Sequence, residues 1–202
     1  MDQAEGAEPR TVSVREPVCQ LALLRAVDDV LDELIVAGAG KVALLRNNRQ
    51  KRSNKLALSR SQLKNVVNEA TGTRSQRAVT NFIRYQMGRK DGEAWRHPER
   101  GRAFGRELIA DIEGDEGQGG VIGEAARKVC DAVGRLLLER GLKTDDAELE
   151  REARAQLTAR YLGYLNRTYA YCEKMEDVEG AGERSTCWDD VGRIAGRGEG
   201  GQ

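Results

Sequence analysis

The sequence has little with which to coordinate a metal or relay a proton: four cysteines and one histidine in 202 residues, with aromatics at only 4%. Cys19, Cys130, Cys172 and Cys187 contain no C-x-x-C pair, and His97 alone cannot complete a zinc site of the usual ligand spacing. Unpaired thiols in a reducing compartment are the expectation. A single histidine also removes the usual general base, and His97 lies in the arginine-rich WRHPER beside a proline, where a surface or backbone-contact role is expected. No apolar run approaches the ~20 residues of a membrane-spanning helix. The chain opens with Asp2, Glu5 and Glu8 rather than a basic leader, so a soluble cytoplasmic protein without a membrane partner is expected. There is no Walker sequence, no G-x-G-x-x-G after a strand, no H-E-x-x-H and no calcium loop. The glycines at 114–123 stand among acids that would repel phosphate. No cofactor and no enzymatic activity are expected.

Alternating apolar runs are also missing, whereas apolar residues at spacings of three and four are abundant, as helices require. The expected fold is all-α: a compact bundle of five or six helices, with few strands or none. Residues 1–16 read as a flexible segment, 17–55 as an N-terminal helix and basic loop, 56–178 as the bundle core, and 179–202 as a flexible tail in which seven of 24 residues are glycine. Val18, Leu21, Leu24, Val27, Val30, Leu31, Leu34 and Ile35 predict one helical stripe, closed near Gly38 and Gly40. Ser59 with Gln62, and Thr73 with Gln76, have capping-box spacing. They open helices with inward faces Leu63, Val66, Val67, Ala70 and Val79, Phe82, Ile83, Met87, the second suited to a left-handed turn at Gly88. After a loop holding Trp95, His97 and Pro98, a helix is built on Phe104, Leu108, Ile109 and Ile112, and a longer one runs from Val121 to Gly141. The last begins at Thr144-Asp145-Asp146 and reaches about Val178, with Leu149, Leu157, Tyr161, Tyr164, Leu165, Thr168, Cys172 and Met175 on its stripe.

The net charge is zero, from 33 basic and 33 acidic side chains, but they are partitioned. Residues 1–40 carry −5, 41–106 carry +13 and 107–202 carry −8. From Lys41 to Asn68 there are eight basic side chains, Lys41, Arg46, Arg49, Lys51, Arg52, Lys55, Arg60 and Lys64, and no acid. Such a block repels itself unless an anion lies nearby, which makes nucleic-acid phosphate the expected partner. The ordinary alternatives are a solvated basic face or pairing with the acidic outer segments. The stretch NNRQKRSNK, 47–55, reads as a loop and first contact, and Arg77, Arg84, Arg89 and Lys90 point off their helix's buried stripe. Tyr161, Tyr164, Tyr169 and Tyr171 could stack on bases, but their spacing favours core or interface use, with Tyr169 and Tyr171 nearer the stripe's edges. Asp28, Asp29, Asp32 and Glu33, or Asp145, Asp146 and Glu148, are the acids available to hold Mg²⁺ for phosphodiester cleavage, though acids on helix surfaces and first turns are common.

The stretches LALSRSQLKNVVNEA at 56–70 and NFIRYQMGRK at 81–90 carry Ser61, Leu63 and Lys64, then Tyr85, Gln86, Gly88 and Arg89. With the closing helix YLGYLNRTYAYCEKM at 161–175, this resembles the small helical subunit of type III CRISPR RNA-guided effector complexes, the Csm-type small subunit. The resemblance spans roughly residues 56–176; the N-terminal helix with its basic loop and the glycine-rich tail depart from it. It implies a non-catalytic bundle that binds guide RNA and target RNA backbone in antiviral defence. The partners it implies are CRISPR backbone subunits, a large polymerase-like subunit and further copies of itself along a filament. Its matching basic residues, Arg60, Lys64, Arg84, Arg89 and Lys90, would line the RNA path, and the basic loop adds Arg49, Lys51, Arg52 and Lys55. Three alternatives stand beside it: a helix-turn-helix DNA-binding regulator built on the two capped helices, a metal-dependent nuclease, and a structural adaptor for an acidic protein.

Overall fold

The computed structural model describes residues 8–45, 58–96, 98–99, 102–115, 119–179 and 186–196. Among these the chain is all-α, with nine helices and two minimal strand pairs. The elements are β1 (Arg10–Thr11), α1 (Pro17–Asp28), α2 (Leu31–Leu44), α3 (Arg60–Gly72), α4 (Gln76–Gly88), α5 (Glu93–Arg96), β2 (Pro98–Glu99), β3 (Arg102–Ala103), α6 (Phe104–Glu113), α7 (Val121–Leu138), β4 (Leu142–Lys143), α8 (Asp146–Glu179) and α9 (Thr186–Gly196). β1 runs parallel to β4, and β2 antiparallel to β3.

The 34-residue α8, about 50 Å long at 1.5 Å per residue, is the axis of the bundle. Helices α2, α3 and α7 lie along it, α1 covers α7, α4 packs on α3 and α6, and α9 folds back onto α2 and α8. The Asp145 carboxylate caps α8 by accepting from the Glu148 amide at 2.8 Å. Its buried side chains include Leu149, Leu157, Tyr161, Leu165, Tyr169 and Cys172. Tyr169, expected near the stripe's edge, is fully buried, and its hydroxyl donates to the Leu58 carbonyl just before α3; Tyr164 is half-buried instead.

The helix count exceeds the sequence expectation for three local reasons. The first stripe is broken at Val30 (φ −106°, ψ 4°), so α1 and α2 bury separate faces. On α1 these are Cys19, Leu23, Ala26 and Val27, whereas Leu21 and Leu24 are 68% and 41% exposed. α2 then continues through Gly38 and Gly40 to Leu44. Glycine costs a helix only about 1 kcal/mol relative to alanine, and packing of α2 on α8 and α9 outweighs that. Second, Trp95 belongs to α5 rather than a loop; its ring is fully buried, 5.8 Å from that of Phe104. Third, within the segment expected to be an unstructured tail, residues 186–196 form α9, which buries Cys187 and Val191. At the other end Val12 and Val14, inside the segment expected to be flexible, are buried as well.

The box at Ser59 and Gln62 is present with both reciprocal bonds, and α3 buries Leu63, Val66 and Ala70. α4 starts two residues later than the sequence suggests: Ser75 accepts from the Ala78 amide, while Thr73 accepts only from Ser75. Its fully buried side chains are Val79, Thr80, Ile83 and Gln86, with Phe82 and Met87 half-buried. Gly88 is not left-handed; among the described glycines only Gly114 (φ 90°) and Gly141 (φ 66°) have positive φ, ending α6 and the turn after α7.

Candidate nucleic-acid interface

α3 and α4 are joined by the three residues Thr73, Arg74 and Ser75 and held as a pair against the bundle. The amide of Gln76, expected as a capping partner, donates instead to Thr158 Oγ1 at 3.1 Å and anchors the start of α4 to α8. With Leu63, Val66, Val79 and Ile83 inward, helical spacing sets Arg60 and Lys64 together on the exposed side of α3. It sets Arg77, Asn81, Arg84 and Tyr85 on the exposed side of α4. α4 contains no acidic residue and α3 only Glu69.

The fold divides the expected RNA-binding residues into three groups. Arg49, Lys51, Arg52 and Lys55 lie outside the described residues. Arg60, Lys64 and Lys90 are exposed, with no ion pair among the described residues. Arg84 and Arg89 are exposed and half-buried respectively, but each is matched by an acid. Arg84 Nη2 donates to Glu113 Oε2 at 2.7 Å and its Nη1 to Thr80 Oγ1 at 3.2 Å. Burial would raise the Glu113 carboxyl, but the hydrogen bonds from Arg84 and Thr80 outweigh it and hold the group below its ordinary range. Arg89 forms two parallel 2.9 Å bonds to Asp91. Arg77 and Arg106 are also exposed; Arg106 shares with Arg84, Met87, Ile109 and the acid Asp115 a depression between α4 and α6.

Lys41, counted in the basic block of the sequence, does not serve that block. It turns into the bundle, where its ammonium lies 2.7 Å from Glu107 and 3.2 Å from Asp111. Tyr161 of α8 donates to the other Asp111 oxygen at 2.5 Å. Burial alone would lower the Lys41 pKa; Asp111 and Glu107 overcome that and raise it. Burial raises Asp111 and pushes Tyr161 well above its ordinary value, the adjacent Asp111 adding to the latter shift. The cluster joins α2, α6 and α8, and is internal wiring rather than a ligand site.

Among the described residues no group of three or more His, Cys, Asp or Glu side chains is placed to hold a metal ion. Asp28 faces Arg160 at 3.4 Å, Glu33 holds Lys128 at 2.6 Å, and Asp145 caps α8. No helix among the described residues is long and apolar enough to cross a membrane. Of the four tyrosines of α8, Tyr161 and Tyr169 are buried in the bundle, Tyr171 donates to Asp190 of α9 at 3.1 Å, and Tyr164 lies under Arg167 of the same helix at 5.2 Å. The aromatic residue that stands out on the basic face is Tyr85, 59% exposed, which the sequence reading noted only within a motif. Its signal was positional: two residues beyond the buried Ile83, it falls opposite the apolar stripe and among arginines.

The fold and this face define an all-α helical bundle with a basic two-helix surface. No protein-family model matches the chain, and neither does any curated protein or solved structure.

Proposed function

We propose that the chain is a non-catalytic, nucleic-acid-binding subunit that holds phosphate backbone through the exposed cations of α3 and α4. Its setting is a type III CRISPR RNA-guided effector complex in the cytoplasm, acting in antiviral defence. The observation that carries the binding reading is that Arg60 and Lys64 stand exposed without a matching acid among the described residues, on a helix pair whose only carboxylate is Glu69, with Lys90 likewise exposed in the turn just beyond α4. Cations left unpaired attract an external anion without first breaking an internal bridge. The motifs around Ser61 and Tyr85 supply the effector-subunit setting, with guide and target RNA as ligands and backbone subunits, a polymerase-like subunit and further copies of this chain as neighbours. Base pairing would then give specificity while this surface holds the strand without reading its sequence.

Fluorescence anisotropy with labelled RNA across a salt series tests the binding, and co-purification from the native host tests the setting. Affinity that falls steeply with salt, and weakens on combined Arg60→Glu and Lys64→Glu substitution, supports the first. Recovery of a short guide RNA with repeated backbone subunits supports the second. A three-residue turn between two short helices also suits a helix-turn-helix, with Arg77, Asn81 and Arg84 on its second helix; sequence-selective binding to duplex DNA would establish that reading instead. Absence of RNA and DNA binding at low salt would refute both.

A further inference from the structure

Of the large hydrophobic side chains that the described surface exposes, Tyr85 is set apart by its surroundings. Tyr171, the other aromatic among them, is tied to Asp190, and Leu21, Leu24, Leu138 and Ile194 are aliphatic. Tyr85 sits at the middle of the exposed side of α4. Helical spacing places the Arg77–Arg84 column on one flank, while Arg89, the extended residue that caps the end of α4, reaches back over the ring. The Arg89 guanidinium carbon is 5.9 Å from the ring centre and is fixed by its two bonds to Asp91. The half-buried Phe82 ring braces the tyrosine at 6.0 Å, tilted by 38°. The ring is therefore neighboured by Phe82 and Arg89 and the residue still remains 59% exposed.

A face that only gathers phosphates gains nothing from an exposed, braced ring. Bases in a duplex are already stacked on one another, whereas those of a single strand can turn outward onto an aromatic side chain. The exposed cations Arg60, Lys64 and Arg77 of the same helix pair would then meet the neighbouring phosphates. We propose that Tyr85 is a base-stacking platform and that the ligand of the α3–α4 face is a single-stranded nucleic acid. This rests on the nucleic-acid reading above and names the ligand class within it.

The test uses the full chain, a labelled single-stranded oligoribonucleotide, the same strand carrying abasic sites, and its duplex, compared by anisotropy at one fixed salt concentration. Tyr85→Leu is expected to weaken the base-bearing single strand about tenfold, to leave the abasic strand and the duplex unchanged, and to keep the salt slope of the wild type. Tyr85→Phe retains the wild-type affinity. Because the side chain is mostly exposed, circular dichroism and the melting temperature of both variants should match the wild type. Equal wild-type affinity for base-bearing and abasic strands, or no effect of Tyr85→Leu, overturns the stacking proposal. If Arg60→Glu with Lys64→Glu still weakens binding in that case, the backbone reading survives on its own. No binding of any strand by the wild type removes both.

Discussion

Arg84 on α4 and Glu113 at the end of α6 are joined by a 2.7 Å ion pair that spans 29 residues of sequence and leaves Arg84 half-neutralised on the face where it would meet an anion. Glu113→Gln should therefore strengthen RNA binding, by about two- to threefold at low salt. Arg84→Ala should cost less affinity than Lys64→Ala. Each exposed, unmatched cation removed should flatten the slope of log affinity against log salt by about 0.7 for a single strand.

The same pair has a pH signature. The Glu113 carboxyl is depressed in the folded state from an ordinary value of 4.5, so the bridge contributes stability above that value and loses it as pH falls through the folded one. Urea denaturation of wild type and Glu113→Gln should differ at neutral pH and converge in acid.

Lys41→Met leaves Glu107 and Asp111 facing each other without their shared cation. It should destabilise the fold by about 3 kcal/mol, with Asp111→Asn in the same chain recovering part of the loss. Lys41 is raised above its ordinary 10.5, so its contribution is intact below that value and is lost as pH climbs through the folded one. The alkaline limb of the wild-type stability curve should accordingly be steeper than that of Lys41→Met.

Leu21 and Leu23 look interchangeable in the sequence. Leu23 is fully buried and Leu21 is 68% exposed. Leu23→Ala should cost about 2–4 kcal/mol in denaturant unfolding, and Leu21→Ala within about 0.5 kcal/mol of nothing.

The Cys130 thiol is pushed up to about 11, by burial first and then by Glu150 and Asp131. Iodoacetamide at pH 8 should leave it largely unmodified in the native protein and alkylate it promptly in denaturant, as read by mass spectrometry.

What the sequence made legible follows from how local each signal is. α3, α6, α7 and α8 combine a sustained apolar period with a stop or start within a few residues of it: the Ser59–Gln62 box, Gly114, Gly141, and Asp145. The break at Val30 has no such marker, since neither glycine nor proline stands there, and one helical period drawn across it selects Leu21 and Leu24 in place of Leu23 and Ala26. α9 was hidden by composition: its glycines argue for a loose tail, while its helix is held through Cys187 and Val191 by packing on α2 and α8.

The basic face was legible as a surplus of charge but not as a set of available charges. Lys41 and its acceptor Glu107 are 66 residues apart, and only the folded chain reveals that this lysine is used internally. Tyr85 is a lone aromatic marked only by its position, whereas α8 stands out by its count of tyrosines, of which Tyr161 and Tyr169 are buried in the bundle.

The parallel pairing of β1 with β4 sets an order of events on the ribosome. The Arg10 amide donates to the Gly141 carbonyl and the Val12 amide to that of Lys143, so β1 is stitched to a segment made about 130 residues later. At about 5–20 residues per second, α1 waits roughly six to twenty-six seconds for α7 and this seam, with Leu23 and Val27 uncovered meanwhile. α2 and α3 wait longer still, because α8, the axis they pack along, is made after α7, so the first half of the described bundle needs shelter until the second half exists.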